Sequence, residues 1–162
     1  MNKIPLTVKG AELLRGELHQ LKTVERPKVI LAIQEARSHG DLSENAEYDA
    51  AKERQSFIEG RIRELEGTIA MAEVIDPAKL TGSRVVFGAT VRLADTESGE
   101  ETVYSIVGDH EGDIKEGRIA ISAPLARALI GREPGDTVNL RTSKGSREYQ
   151  IQEVRFVPLD EA

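Results

Sequence analysis

The 162-residue chain has no cysteine and no tryptophan, and aromatic residues make up 4% of it. The missing cysteine excludes a disulfide framework and any thiolate zinc site, and it fits a reducing, cytoplasmic setting. No long apolar run opens the chain. MNKIPLTVKGAELL reads as neither a signal peptide nor a membrane span. Basic residues are also short: 22 Lys and Arg stand against 28 Asp and Glu, a net charge of −6. A free duplex-DNA binder would show a basic face. This balance argues against one, though not against a protein that meets nucleic acid while held by a partner. What is plentiful is charge of both signs, 31% of residues, beside 39% hydrophobic ones, a globular balance with a polar bias.

Two halves carry different periods. From Thr7 to about Ala72 the spacing predicts helix. Leu14, Leu18 and Leu21 recur at four and three, and Val29, Ile33 and Ala36 resume that spacing. Pro27 stands between the two sets, which predicts a kink or short break near Val24 to Arg26. The next run is cleaner. Tyr48, Ala51, Gln55, Ile58, Ile62, Leu65, Ile69 and Ala72 form an a/d seam with one polar member, Gln55. His39-Gly40-Asp41 separates the runs, with Gly as a helix C-terminal cap and Asp as an N-cap. Residues 8 to 39 and 42 to 74 would each span roughly 50 Å at 1.5 Å per residue. Matched helices joined by a short turn fold back as an antiparallel hairpin. The expected domains are therefore residues 1–76, a long coiled-coil hairpin, and residues 77–162.

After Asp76-Pro77 the segments shorten and become β-branched. Arg84 to Leu93, Glu101 to Val107, Arg118 to Ile121, Thr137 to Arg141 and Glu148 to Phe156 read as strands. Turn signals such as Ser98-Gly99, Pro134-Gly135-Asp136 and Lys144-Gly145-Ser146 part them. One short helix begins at Pro124, with Gly131 just past its end. The expected class is α+β: a helical hairpin, then a small, mostly antiparallel sheet with one short helix. The two halves, 1–76 and 77–162, each carry 11 basic and 14 acidic side chains, a net −3.

The stretch HGDLSENAEYDAA gathers Asp41, Glu44, Glu47 and Asp49 at the turn of the hairpin. The structural explanation is capping. Carboxylates favour helix N-termini by about 0.3–1 kcal/mol each, and Asp41 with Glu44 three residues on resembles a capping box. A cap needs only one or two side chains, however, and Ser43 or Asn45 would serve. Two carboxylates also suit Mg²⁺, whose octahedral shell is usually completed by waters and phosphates. On a bare tip they make half a site, which expects a partner to supply the other half. Arg37 and Lys52 should flank the tip, as solvated charges or as phosphate contacts. Tyr48 falls on the seam, and His39 meets a helix C-terminus.

The string GDLSENAEYDAAKERQSFIEGRIRELE resembles the coiled-coil tip and second helix of the Gre family of bacterial transcript cleavage factors. VVFGATVRL, YSIVGDHEGD and ISAPLARALIGREPGD are similar to that family's C-terminal domain, and the likeness runs from IPLTVKGAELLRGEL to EVRF. The net −3 of the hairpin half fits the less basic of the family's two sister factors. The resemblance implies an FKBP-like C-terminal domain that binds RNA polymerase. It implies a coiled coil that enters the secondary channel, where the nascent RNA 3′ end lies after backtracking. Asp41 and Glu44 match the acidic pair that helps hold a Mg²⁺ shared with the polymerase, which then cleaves its own transcript. The factor itself is not the enzyme. Asn45, Glu47 and Tyr48 match the surrounding motif. Ser122 and Pro124 match the polymerase-binding Ser-Pro region, although Ala123 stands where many members have the serine next to the proline. Two other readings accompany this one. An inhibitory relative would enter the channel without promoting cleavage, against which the intact acids speak. An FKBP-like fold also admits a peptide-binding isomerase, but its aromatic-lined pocket would have to come from Phe87, Tyr104, Tyr149 and Phe156.

Overall fold

A computed structural model of the chain describes residues 3–39 and 45–158. It is α+β. In chain order the elements are β1 (Ile4–Thr7), α1 (Val8–Gln20), a π-helical turn (Leu21–Glu25), α2 (Arg26–Ser38), α3 (Ala46–Ala70), β2 (Ala72–Ile75), β3 (Thr90–Asp95), β4 (Glu101–Val107), β5 (Arg118–Ala120), α4 (Pro124–Leu129), β6 (Thr137–Thr142) and β7 (Gly145–Arg155). They gather into two compact units. One is Glu12–Ala72, and the other joins Met1–Ala11 to Glu73–Ala162.

In the helical unit the seam packs as its spacing predicts. Leu14, Val29, Ile33 and Ala36 are buried on one arm, and Ala51, Ile58, Ile62 and Leu65 on the other. Val29, Ile58 and Ile62 form its central cluster, flanked by Leu18 and Leu21. Each large aliphatic side chain taken from water there contributes about 1.5–3 kcal/mol. Near its end the seam drifts by one position: Thr68 is buried and Ile69 only half-buried. Outside the seam, ion pairs cross from arm to arm. Arg26 binds Glu59 through two bonds of 2.9 and 2.7 Å, and Arg61 binds Glu17 through two of 2.7 and 2.8 Å. Lys22–Glu66 and Arg54–Glu25 each close at 2.9 Å.

Three expectations for this half change. The break before Pro27 is a π turn within a continuous helical path: the Arg26 N–H donates to the Leu21 carbonyl, five residues back. A proline ring collides with the carbonyl four residues before it, and a widened turn moves that carbonyl aside. The second helix starts at Ala46 rather than residue 42, and Asn45, not Asp41, is its N-cap. Its 25 residues therefore span about 37 Å instead of 50 Å. Finally, helix does not fill Thr7 to Ala72. Ile4–Thr7 and Ala72–Ile75 pair as a two-stranded sheet. Four-residue strands abutting helices are too short to announce a period.

The other unit holds a five-stranded sheet in the order β5-β4-β3-β7-β6. All its pairs are antiparallel except β4 with β5 at the edge. A bulge in the β3–β7 pair, between Arg92 and Leu93, leaves Gln152 opposite no single partner. Val85, Val91, Leu93, Ile106, Ile119, Leu129 and Ile151 are the larger members of its core, with α4 packed by Ala126 and Leu129. The first sheet strand was expected from Arg84 but begins at Thr90. Val85 instead bonds Gly131 and Arg132 behind α4, and Gly88 turns the chain at φ 90°.

β1 belongs to this unit, and Glu111 ties it there. The Glu111 carboxylate accepts the Thr7 N–H at 3.0 Å, the Gly108 N–H at 2.9 Å and the Thr7 hydroxyl. The Thr7 oxygen in turn accepts the Gly10 N–H at 3.0 Å, the bond that caps α1.

Candidate functional site at the turn of the hairpin

The two arms end in complementary ways. α2 stops at Ser38 with His39 as its C-cap, and α3 starts one residue after Asn45. Asp41 and Glu44, the acids on which the functional expectation rests, fall between them and lie outside the described residues. The described residues around them can be placed. The Asn45 Oδ1 accepts the Tyr48 N–H at 3.1 Å, while its Nδ2 donates to the Ala36 carbonyl at 2.6 Å. His39 Nδ1 lies 3.0 Å from a Glu47 carboxylate oxygen, so α2 and α3 also meet through that pair. Tyr48 is half-buried at the start of the seam.

Arg37 and Lys52 are exposed and line one shallow groove of about 240 Å³ with Ile30, Ile33, Gln34 and Gln55. A second groove of about 330 Å³ continues along the same side past Ser56, Glu59 and Arg63. Lys52 donates weakly to Gln55 at 3.4 Å. Neither Arg37 nor Lys52 forms an ion pair with a described residue, so both charges face solvent. Further along, the arginine forks hold their acids ionised. Bonds from Arg61 draw the Glu17 carboxyl below its usual range, and those from Arg26 do the same for Glu59. Arg61 itself is pushed further up by Glu17.

Among the described residues no cluster of three or more His, Asp or Glu could hold a metal. A metal at the turn would therefore depend on Asp41 and Glu44 with donors from elsewhere. Two carboxylates are hard oxygen donors and fit the partial shell that Mg²⁺ accepts.

Ser122 and Pro124 lie in the sheet unit, both exposed at the start of α4. The Ser122 N–H donates to Asp109 Oδ1 at 3.1 Å. Ala123 occupies the N-cap and, having no hydroxyl, makes no side-chain capping bond. The aromatics an isomerase pocket would need are used in packing. Tyr104, Tyr149 and Phe156 lie against the core, and Phe87 is buried. A groove in that unit is lined by Asp95, Glu97, Ser98, Glu100, Lys144, Ser146 and Arg147. There the N–H groups of Ser98 and Glu97 keep the Asp95 carboxyl below its usual range.

The double use of Asn45 and the His39–Glu47 contact were not read from sequence. An Asn three residues before Tyr48 signals a cap, but nothing local signals a bond to a carbonyl nine residues back.

Helical hairpin and sheet unit each match a known family model. "Transcription elongation factor, N-terminal" covers residues 4–74, and "Transcription elongation factor, GreA/GreB, C-term" covers residues 80–156. Both modules thus define one class, the transcription elongation factors. The transcription elongation factor GreA of Alkalilimnicola ehrlichii is 59% identical, covering 96% of this chain and 99% of its own. That of Neisseria meningitidis serogroup B is 60% identical, covering 97% and 100%. The solved GreA factor homolog 1 of Thermus thermophilus is 27% identical and covers 95% of this chain and 99% of its own, with a TM-score of 0.44. The chain belongs to the GreA/GreB family of transcription elongation factors.

Proposed function

We propose that this elongation factor acts on RNA polymerase from within, by stimulating cleavage of backtracked RNA. The observation that carries the reading is the place of Asp41 and Glu44. They fall in the short connection between two helices packed as a narrow hairpin, and the grooves along that hairpin are shallow. A free-standing hydrolase needs a walled pocket. Acids on a slender turn instead suit delivery into another protein's active centre.

In this reading the sheet unit docks on the polymerase through the surface that includes Ser122 and Pro124. The hairpin enters the secondary channel, and its turn reaches the extruded RNA 3′ end. Asp41 and Glu44 would hold a Mg²⁺ shared with the polymerase, and together with the polymerase's own ion it would make the pair that stabilises the attacking and the leaving oxygen of such a displacement. Arg37 and Lys52, which form no ion pair with a described residue, offer positive charge to the RNA phosphates. Glu47 and Tyr48 support the turn from the first residues of α3. The polymerase, not this chain, cuts the RNA, and elongation then resumes. The site of action is the cytoplasm, with no membrane. No described helix is long and apolar enough to cross one.

The test is a stalled, backtracked polymerase carrying 3′-labelled RNA, with Mg²⁺ present. The wild-type chain should release short 3′ fragments. Asp41→Asn should bind polymerase equally well and cleave on the order of 10²-fold more slowly, the usual effect of losing one preorganised charge-stabilising group. Binding without any release by the wild type would overturn the reading and leave an inhibitory channel factor. Equal losses of binding and cleavage in Asp41→Asn would remove the chemical role of the turn.

A further inference from the structure

The end of α2 and the start of α3 each leave backbone groups without helical partners: the last carbonyls of the one and the first N–H groups of the other. A single side chain serves both. Asn45 Oδ1 takes the Tyr48 N–H at 3.1 Å, and Asn45 Nδ2 gives a hydrogen to the Ala36 carbonyl at 2.6 Å. That carbonyl also accepts the His39 N–H at 3.2 Å. The orientation of the amide is fixed by its partners, because an N–H demands the oxygen and a carbonyl demands the nitrogen. The His39–Glu47 pair at 3.0 Å also joins the end of α2 to the start of α3.

We propose that Asn45 is a positioning residue for the cleavage reaction: its amide braces the two helix ends and so fixes the span across which Asp41 and Glu44 are presented. The proposal rests on the cleavage reading above and goes beyond it, since it gives the acids' geometry to a side chain that touches neither metal nor RNA. A primary amide is the group required. Aspartate would keep the bond to the Tyr48 N–H but set a carboxylate oxygen against the Ala36 carbonyl. Serine would keep the cap but is too short to reach across. Small errors matter in such a site, since misplacing a reacting group by about 1 Å can cost about 10²-fold in rate.

The experiment compares wild type, Asn45→Asp and Asn45→Ser in the backtracked-polymerase assay, titrating the factor to saturation. Thermal melting and a polymerase competition assay run beside it. Asn45→Ser is capped and neutral, so it separates geometry from added charge. The expected result is a cleavage rate at saturation lowered about tenfold in both variants, the range found when a group supporting metal ligands is removed. The half-saturating concentration and the melting temperature should stay near wild type. Wild-type cleavage at saturation in either variant overturns the brace. So does a loss of binding or of melting temperature that parallels the loss of rate, which would make Asn45 a structural cap. Failure of the wild type itself to cleave sinks the underlying reading instead, and the two failures are distinguishable.

Discussion

Gly10 and Gly16 both lie on α1, less than two turns apart, yet they should respond oppositely to the same substitution. A Cβ on Gly16 would meet nothing within 4 Å, whereas one on Gly10 would collide with the Glu111 carboxyl group. Alanine is the better helix former by about 0.8–1 kcal/mol. Gly16→Ala should therefore raise the melting temperature by a few degrees. Gly10→Ala must displace the Glu111 carboxylate from Thr7 and Gly108, which strands N–H groups at about 1–3 kcal/mol. It should lower melting despite the gain in propensity, and thermal unfolding followed by circular dichroism reads both. Neither Glu111 nor the Gly10 constraint could be seen in the sequence. The Glu111 bonds to Thr7 join residues 104 apart, and no local pattern marks them. The expectation for Asp41 and Glu44 came from the opposite kind of signal, a local one: acids gathered where two helical periods stop.

At the scale of elements the helices were readable because amphipathic spacing repeats, and the strands where alternation lasted long enough. What escaped was any feature shorter than its period, such as β1 and β2, or any compensation between features, such as the π turn. Leu14, Leu18 and Leu21 step by four and three, and the next seam residue is Val29, eight positions after Leu21 rather than seven. An α-helical seam cannot absorb that extra position without rotating by about 100° per residue. A π turn holds one residue more than an α turn, so Leu21–Glu25 returns Val29, Ile33 and Ala36 to the buried face. Deleting Thr23 together with Pro27→Ala should give an unbroken α-helix with the same seam. Helicity should be no lower than in the wild type and melting no worse. A sharp loss of either would show that the widened turn does more than restore phase.

At the scale of the molecule, the change of period after Asp76 separated a helical from a β-rich half, and both kinds of structure are there. The sequence reading divides the chain at 76/77, while the compact units divide it at 11/12 and 72/73. The difference arises because β1, which the sequence did not announce as a strand, pairs with β2 and bonds to Glu111. That pairing has a consequence for the chain as a whole. Residues 12–72 lie in chain order between two segments of one unit, 1–11 and 73–162, as an insert spliced into a host. Joining Thr7 to Ala72 through a short Gly-Ser turn should leave a host that folds alone and melts cooperatively, and a collapsed or unfolded product would refute this. Such an insert can be lengthened or shortened in whole seam repeats without rewiring its host. The length of the helical unit is then a quantity that can change independently of the sheet unit.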